Sequence, residues 1–341
     1  MSMNKNLRIA LFSGTMILAL CAPASAEEKV LHIMDAGGDY GNALTKCIEE
    51  PLLADKGIKV VRETPGGYAK VVAQVKSGTV VNVATDAGTS EFSRLVADGL
   101  VEKIDWVKFN PEPMFDEAKK EYGYGSSYYS TIMAYRADAK APANWVDFFD
   151  TVGFPGKRAL PDYADYVLPF AAIAGGQDVA TLSNGVDLDK AFATLNRVKA
   201  DTIWWQAGAQ PPQLLQDNEV QYAIAWSGRV VGKDGVKVNW QDGNLDLSYY
   251  AIVKGASEEQ KDMVYEWFRY QTNAKRQACM LKYISYPGSS PDLEKLVPAA
   301  KLAELPTYGE NKKIQWLTNG AWWLQNATEI EKRWNEFKLK Q

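Results

Sequence analysis

Three tryptophans and an arginine lie in one stretch of this sequence, and together they could hold a small amine or amino acid. The stretch runs from 201 to 229 and contains Trp204, Trp205, Trp226 and Arg229. A flat aromatic face attracts a cation, and a small-ligand pocket combines such walls with a few polar groups. Core packing is the competing interpretation of the tryptophans, and a structural ion pair is that of Arg229. The residue types alone leave both open.

Three acidic residues are candidate counter-charges for an amine. Asp162 and Asp165 lie three residues apart before an apolar run, so the first turn of a helix would place them on one face. There they would form a carboxylate pair for an ammonium group, or they would simply cap the helix. Glu91 begins another helical run, and we favour a role at the helix dipole over contact with a ligand.

The rest of the sequence disfavours catalytic and metal chemistry. The one histidine, His32, lies in an apolar strand pattern, so a multi-histidine metal site is impossible. The sequence has no CxxC, P-loop, HExxH or GxSxG motif. We therefore expect no metal, no cofactor and no enzymatic activity. A secreted carboxylate-dependent hydrolase such as a glycosidase stays open, and so does a binder of a sugar or of ferric iron, the latter through Tyr128-Tyr129 and Tyr249-Tyr250.

The first 26 residues are typical of an export signal. Lys5 and Arg8 precede a short apolar run, and Ala24-Ser25-Ala26 is a small-x-small cleavage pattern. No second apolar stretch reaches membrane length. The formal net charge of −4 makes a nucleic-acid partner a poor expectation. We predict cleavage after Ala26 and a periplasmic protein.

Two cysteines, Cys47 and Cys279, remain after the predicted signal peptide. In an oxidising compartment they form either one disulfide or two buried free thiols. A disulfide would tie an early element to a late one, so the chain would have to return to its first domain.

Apolar periodicity predicts strands alternating with helices, which indicates an α/β fold. Predicted strands cover 29–34, 58–61, 80–84, 130–135, 220–226, 235–240 and 245–253. Ser257 and Gln260 form a capping-box pattern that begins a long helix ending near Met280. No linker or internal repeat is visible, so strands that cross between two domains must join them.

The ordered markers of the chain resemble the exported solute-binding proteins of ABC importers, in the spermidine/putrescine branch. The markers are Gly37-Gly38-Asp39-Tyr40, Glu91 to Leu100, Trp145 to Asp150, Phe154 to Arg158, Trp226-Ser227-Gly228-Arg229, Tyr249 to Ala256 and Tyr286-Pro287.

The resemblance implies two α/β domains of the type II periplasmic-binding-protein fold, with a ligand cleft that closes by a hinge motion. We expect a signal peptide at 1–26, domain I at 27–131, domain II at 132–248 and a return to domain I at 249–341. In an alternative arrangement, the C-terminal helices pack on domain II. The implied partners are a small amine ligand and an inner-membrane permease, and the implied oligomeric state is a monomer.

Carried onto this sequence, the resemblance also implies a set of ligand-binding residues. They are Gly38, Asp39, Tyr40, Thr89, Ser90, Asp162, Asp165, Trp226 and Tyr286. Where polyamine binders carry Trp-x-Asp, this chain has Asp246-Leu247-Ser248, so the amine-clamping aspartate position is Ser248. Arg229 instead offers a partner for a carboxylate, and the resemblance implies that family members with this Trp-x-Gly-Arg pattern bind γ-aminobutyrate-like and small diamine ligands. Trp204, Trp205 and Asp246 complete the candidate set.

Overall fold

One mixed sheet runs through the whole molecule and organises it into two lobes. The computed structural model describes residues 29–339, and the predicted signal peptide and its cleavage site lie outside that range. The ten-stranded sheet has the order β2-β1-β3-β9-β5-β8-β6-β7, with β4 on β5 and β10 on β9. The strands are β1 (Lys29–Met34), β2 (Ile58–Glu63), β3 (Ala84–Ala87), β4 (Lys119–Lys120), β5 (Gly123–Arg136), β6 (Arg158–Pro161), β7 (Thr202–Trp205), β8 (Tyr222–Trp226), β9 (Val236–Ile252) and β10 (Gln315–Leu317).

Helices cover both faces of the sheet. The α-helices are α1 (Gly38–Leu44), α2 (Glu50–Lys56), α3 (Tyr68–Ser77), α4 (Thr89–Ala97), α5 (Trp106–Phe109), α6 (Trp145–Phe149), α7 (Leu168–Ala174), α8 (Leu188–Val198), α9 (Gln210–Gln216), α10 (Ser227–Val230), α11 (Glu258–Thr272), α12 (Ala274–Met280), α13 (Ala299–Leu302), α14 (Gly309–Lys313) and α15 (Gly320–Leu339). A π-helical turn, Thr45–Glu49, joins α1 to α2, and 3-10 turns occur at Asp116–Ala118, Ala164–Tyr166, Val179–Asn184, Lys199–Asp201 and Leu293–Leu296.

Lobe one consists of β1–β3 with α1–α5, α11 and α12, and lobe two consists of β6–β8 with α6–α10. Lobe one buries one apolar cluster and lobe two buries two, as a two-domain chain of this length requires. Strands β5 and β9 contribute to clusters in both lobes and pair with each other antiparallel along most of their length. These two strands are the predicted crossing connection. The domain boundaries at 131 and 248 stay predictions.

Several element boundaries differ from the predictions. The predicted strands at 235–240 and 245–253 are one 17-residue strand, β9, whose pairing with β5 shifts register between Thr131 and Met133. The third strand begins at Ala84 instead of residue 80, since Val81 is half exposed. The capping box at Ser257 is confirmed. The helix it begins ends at Thr272, because the side chain of Asn273 accepts from the backbone N–H of Arg276 and starts α12.

The C-terminal segment returns to lobe one and also packs on lobe two. A disulfide between Cys47 and Cys279, whose Cα atoms are 5.8 Å apart, ties α12 to the π-helical turn in lobe one. Helix α15 packs Trp334 and Phe337 into the core of lobe two. Its glutamate Glu331 pairs with Arg94 of α4 in lobe one, at 3.5 Å. Within residues 29–339, no helix combines the length and apolar character needed to cross a bilayer.

Candidate functional site

A cavity of about 200 Å³ lies between the lobes, at the ends of the central strands. Its walls come from segments that are far apart in sequence, so only the folded chain assembles it. The lining side chains with polar groups or aromatic rings are Asp35, Tyr40, Thr64, Asp86, Glu91, Ser127, Tyr129, Tyr163, Asp165, Tyr166, Gln206, Trp226, Arg229, Ser248 and Tyr286.

Arg229 gives one end of this cleft cavity a fixed positive charge. The residue is only 2% exposed, and its Nη2 donates to the carbonyl of Gly37 in the opposite lobe at 3.0 Å. Within the described residues, its Nε and Nη1 have no hydrogen-bond partner. Burial raises the pKa of the neighbouring Tyr286 phenol to about 12, against the opposing effect of Arg229. A buried guanidinium with free donors is suited to a ligand carboxylate.

Two glycines allow the Arg229 end to pack so closely. Gly38 has φ +57°, and a Cβ built on it would lie 2.9 Å from Nη1 of Arg229. A Cβ on Gly208 would lie 2.6 Å from the ring of Trp226. The indole Nε1 of Trp226 is buried and has no partner within residues 29–339. The aromatic plane of Trp226 and the guanidinium therefore share one wall, each with an N–H available.

Asp86 places a carboxylate in the middle of the cavity. It lies at the carboxyl end of β3, and one of its oxygens accepts a hydrogen bond from the Ser248 hydroxyl of β9. Burial raises the pKa of Asp86 to about 7. Ser248 was predicted to mark the loss of an amine-clamping aspartate, but Asp86 on the adjacent strand supplies a carboxylate at the same place.

Glu91 and Asp165 form the acidic end of the cavity. Asp165 accepts from the Ser90 hydroxyl, whereas Oε1 of Glu91 is fully buried without a partner among the described residues, although the residue as a whole is only half-buried. Burial, followed by the charge of Asp165, raises the pKa of Glu91 to about 7. Burial raises the pKa of Asp165 to about 6. An ammonium group placed here would favour the ionised form of both.

Asp35 lines the same cavity but its charge is already compensated. Nε of Arg62 donates to it at 2.6 Å, and the backbone N–H of Gly37 donates at 2.8 Å. It therefore shapes the loop before α1 and leaves the acidic end to Glu91 and Asp165.

Some of the predicted site residues come together at the cavity, and others do not. The residues that line it are Tyr40, Asp165, Trp226, Arg229, Ser248 and Tyr286. Gly38 borders it through its contact with Arg229. Asp39 forms an ion pair with Lys233 of lobe two at 3.0 Å, outside the lining.

Trp204 and Trp205 lie outside the cavity, contrary to the prediction. Successive residues of strand β7 point to opposite faces, so the pair cannot share a wall. Trp204 packs edge-on against Trp334 of α15, with ring centroids 5.6 Å apart. Trp205 is fully buried, donates to the carbonyl of Ile224 and supports Trp226 from behind at 5.1 Å.

Asp162 does not form a pair with Asp165. It lies before the Ala164–Tyr166 turn and is engaged by Lys338 at 2.7 Å and by Gln206 at 3.0 Å. The two carboxylates diverge because no helical turn includes both.

The predicted Thr89 and Asp246 belong to a partly buried hydrogen-bond network beside the cavity, whereas the predicted Ser90 donates to Asp165. The Thr89 hydroxyl donates to Asp246 at 2.5 Å, and the Tyr129 hydroxyl donates to the same carboxylate at 3.0 Å. Tyr129 is also 2.8 Å from the hydroxyl of Tyr166 in lobe two. Asp246 is thus fully engaged and holds the first turn of α4 in place.

Sequence reasoning missed the central carboxylate Asp86 and the tyrosines that enclose the acidic end. Asp86 carries a signal that could have found it, since it is the last residue but one of a strand that is followed by a glycine and a helix. Ligands of open α/β sheets bind outside the carboxyl ends of the strands. Tyr163 and Tyr166 had no such signal, because the irregular turn that presents them has no regular period.

Metal binding finds no support in the described part of the chain. Residues 29–339 contain no group of three or more His, Cys, Asp and Glu side chains suited to a metal ion. In each of the two tyrosine pairs weighed for iron, one tyrosine is already engaged by another residue. Tyr128 donates to Glu117 at 3.0 Å, and Tyr249 stacks on Phe92 at 4.6 Å.

Comparison with known proteins gives consistent matches over nearly the whole chain. The family described as bacterial extracellular solute-binding protein matches residues 49–307. The gamma-aminobutyric acid-binding protein of Pseudomonas aeruginosa is 31% identical to this chain in an alignment 345 residues long. The alignment covers 98% of this chain and 96% of that protein.

Two solved structures share the fold. The PBP AgtB from A. tumefaciens R10, in complex with agropinic acid, matches with a TM-score of 0.85 at 28% identity and covers 92% of this chain and 100% of its own. An ABC transporter substrate-binding protein from Bradyrhizobium japonicum USDA 110 matches with a TM-score of 0.80 at 31% identity and covers 91% of this chain and 99% of its own. These matches confirm the predicted fold class.

Proposed function

Because this chain belongs to the bacterial extracellular solute-binding protein family, we propose that it captures a small zwitterionic amine of the γ-aminobutyrate type in the cleft cavity and delivers it to an ABC importer permease. Members of this family bind solutes for import and are not enzymes, so the hydrolase alternative is set aside. Export by residues 1–26 and a monomeric state remain part of the proposal.

The unpartnered donors of Arg229 carry this proposal. A buried charged donor without a partner is costly, and a carboxylate placed against Nε and Nη1 removes that cost with two charge-assisted hydrogen bonds. The indole N–H of Trp226 offers a third donor on the same wall. The Arg229 end therefore selects a ligand with a negative group.

The acidic end supplies the complementary half of the recognition. An ammonium group between Glu91 and Asp165 gains two carboxylate acceptors, and the tyrosines Tyr163 and Tyr166 close the space around it. A ligand with opposite charges at its two ends matches both regions at once. The relative from P. aeruginosa, which is described as a gamma-aminobutyric acid-binding protein, supports a ligand of this class.

A diamine such as putrescine, or the longer spermidine, is the alternative that the polyamine resemblance implied. Such a ligand would fit the acidic end but would place its second ammonium group near Arg229 and leave the buried donors unpaired. Repulsion between the two cations in a desolvated site makes that arrangement unfavourable. We therefore place diamines below zwitterions in expected affinity.

A binding experiment separates these ligands. Protein that has been unfolded, freed of carried ligand and refolded is titrated calorimetrically with γ-aminobutyrate, putrescine, spermidine and a neutral sugar. In a parallel thermal-shift assay, ligand at about a hundred times its Kd should stabilise the protein by roughly 2.7 kcal/mol. The proposal predicts tight binding of γ-aminobutyrate alone. Tighter binding of putrescine than of γ-aminobutyrate would overturn it.

A further inference from the structure

A carboxylate in the middle of the cleft cavity has no role in the proposed contacts of γ-aminobutyrate. Asp86 lines the cavity near the end of β3, together with Arg229 and Glu91. Burial raises the pKa of Asp86 to about 7, and the charge of Arg229 opposes that rise. Burial also raises the pKa of Glu91, with further contributions from the charges of Asp165 and Asp86. Asp86 therefore lies within electrostatic reach of both ends of the cavity.

Asp86 keeps acceptor capacity for a ligand in the cavity. The Ser248 hydroxyl donates to one of its oxygens, and a backbone hydrogen bond from Ala87 also favours the ionised form. Arg229 does not donate to Asp86, because its Nη2 donates to the carbonyl of Gly37 and its Nε and Nη1 have no partner within residues 29–339. An ionised carboxylate offers roughly four acceptor sites, so about two remain for donors from a ligand.

The charged groups that face the cavity are out of balance. In the part of the chain that the structure describes, Arg229 is the only basic side chain in the lining, whereas Asp86, Glu91 and Asp165 are three carboxylates. Asp35 is left out of this comparison because its charge is already compensated. A ligand with one carboxylate and one ammonium group is neutral and leaves the difference unchanged. A second ammonium group reduces it, and an opposite charge close to a carboxylate favours the ionised form.

We propose that the preferred ligand is a diamino acid, a zwitterion of the γ-aminobutyrate type that carries a second ammonium group and donates it to Asp86. The proposal deepens the proposed function and rests on it. The ligand carboxylate contacts Arg229, the terminal ammonium group lies between Glu91 and Asp165, and the second ammonium group lies against Asp86 between them. The compound 2,4-diaminobutyrate has this pattern, since it is γ-aminobutyrate with an amino group on the carbon next to the carboxylate. It differs from putrescine because it keeps the carboxylate that Arg229 requires.

The test compares γ-aminobutyrate, each enantiomer of 2,4-diaminobutyrate, and 4-amino-2-hydroxybutyrate by calorimetry on the full-length protein freed of carried ligand. We expect one enantiomer of 2,4-diaminobutyrate to bind about tenfold more tightly than γ-aminobutyrate, or better, as a hydrogen bond between charged groups allows. The hydroxyl analogue places a neutral donor on the same carbon and should gain less. This comparison uses the wild-type protein and depends on no variant.

A pair of variants assigns the gain to Asp86. Asp86→Asn keeps the size of the side chain and removes its charge, so the affinity ratio of 2,4-diaminobutyrate to γ-aminobutyrate should fall about tenfold. Asp116→Asn is the matched control, since it is the same substitution at a side chain that is 97% exposed and pairs with Lys119. It should leave the ratio unchanged.

The outcomes separate this proposal from the proposed function. If neither enantiomer binds more tightly than γ-aminobutyrate, the diamino acid proposal is overturned and the proposed function stands. An equal gain from the hydroxyl analogue also overturns it, because a neutral donor would then be sufficient. A loss for both ligands in Asp86→Asn with an unchanged ratio assigns Asp86 to the terminal ammonium group and overturns the second contact. Failure of all these ligands to bind the wild type overturns the proposed function itself.

Discussion

The two ends of the cleft cavity carry opposite charge and are built differently. The positive end has one guanidinium, a group that stays protonated in proteins, and two of its nitrogens have no hydrogen-bond partner within residues 29–339. The negative end has carboxylates that are partly engaged by hydroxyls from neighbouring elements and whose pKa values lie near neutrality. The positive end therefore keeps its charge, whereas the charge of the negative end depends on pH.

This contrast teaches that the ends should respond differently to mutation and to pH. Loss of the single guanidinium removes the whole positive end, while loss of one carboxylate leaves another beside it. A change of pH reaches the acidic end and Asp86 in the middle of the cavity.

Replacing the guanidinium should have the largest effect on binding. Arg229→Gln leaves a ligand carboxylate in a buried site without its charged partner, which costs about 2–5 kcal/mol, or roughly 30-fold to several thousandfold in affinity. Calorimetric titration with γ-aminobutyrate measures this loss. Arg136→Gln is the control, because Arg136 pairs with the exposed Asp138 on the surface.

Titration of Arg229→Gln with a second ligand shows whether Arg229 binds the ligand or holds the two lobes together. Putrescine has no carboxylate, so its affinity should not fall in Arg229→Gln. An equal loss for putrescine and γ-aminobutyrate would assign Arg229 to holding the lobes together through Gly37.

Trp226→Ala should have the next largest effect, with a loss of tenfold or more in γ-aminobutyrate affinity, since the indole provides both the flat wall and an N–H donor beside Arg229. Trp204→Phe, in contrast, should keep that affinity within about twofold while it lowers the melting temperature, because Trp204 only packs against α15. Parallel titration and thermal melts of the two variants provide the comparison. A larger binding loss in the Trp204 variant would reverse the assignment.

A change of pH should act on the cavity through Asp86 in its middle and through the carboxylates of the acidic end. The folded-state pKa values of Asp86 and Glu91 are raised to about 7 by burial, above their ordinary values of 3.8 and 4.5. The stability that these two groups contribute is therefore present below about pH 4 and is lost as the pH rises through 7. In melts of the unliganded protein, these groups should lower the melting temperature between pH 5.5 and 8.

Ligand affinity should move in the opposite direction. A bound ammonium group favours ionised carboxylates, so the protein must release protons to bind, and affinity should fall by up to about tenfold per proton and pH unit below 7. Glu91→Gln should flatten this profile, measured by calorimetry in buffers of different ionisation enthalpy. A profile that is identical in wild type and variant would show that Glu91 does not face the ammonium group.

The two ends also differ in how well the sequence predicted them. The positive end was predicted from two short motifs, Trp226-Ser227-Gly228-Arg229 and Tyr286-Pro287. The side chains of Trp226, Arg229 and Tyr286 all line the cavity. Asp86 comes from a strand end, and Tyr163 and Tyr166 come from the start and end of an irregular turn, where no periodicity says which way a side chain points. Glu91 lies in the first turn of α4, where the sequence favoured a role at the helix dipole. Trp204 and Trp205 were assigned to the site because no strand was predicted at 202–205, and in strand β7 neighbours point to opposite faces.

The fold was more predictable than the site for a related physical reason. Strand alternation and helical periodicity reflect burial over many residues. The α/β class and the crossing strands are therefore predicted correctly even where a single residue is misassigned. Boundaries depend on single residues, such as the cap at Asn273 that divides α11 from α12. The cavity depends on contacts between segments far apart in the chain, such as Ser90 with Asp165 and Arg229 with Gly37. Those contacts exist only after the lobes have come together.

The smallest expected effect concerns an ion pair beside the positive end that does not touch the cavity. Lys233 of lobe two and Asp39 of lobe one are 3.0 Å apart, and both side chains are more than a third exposed. Lys233→Met removes one contact between the lobes, which should weaken γ-aminobutyrate binding by less than about fivefold because solvent screens the pair. The loss should shrink further when salt is raised to about 1 M, since the Debye length is then roughly 3 Å. Lys46→Met is the matched control, as Lys46 pairs with Glu50 within lobe one and should leave affinity unchanged. A loss in Lys233→Met as large as that in Arg229→Gln would mean that lobe contact dominates recognition and that the free donors of Arg229 do not.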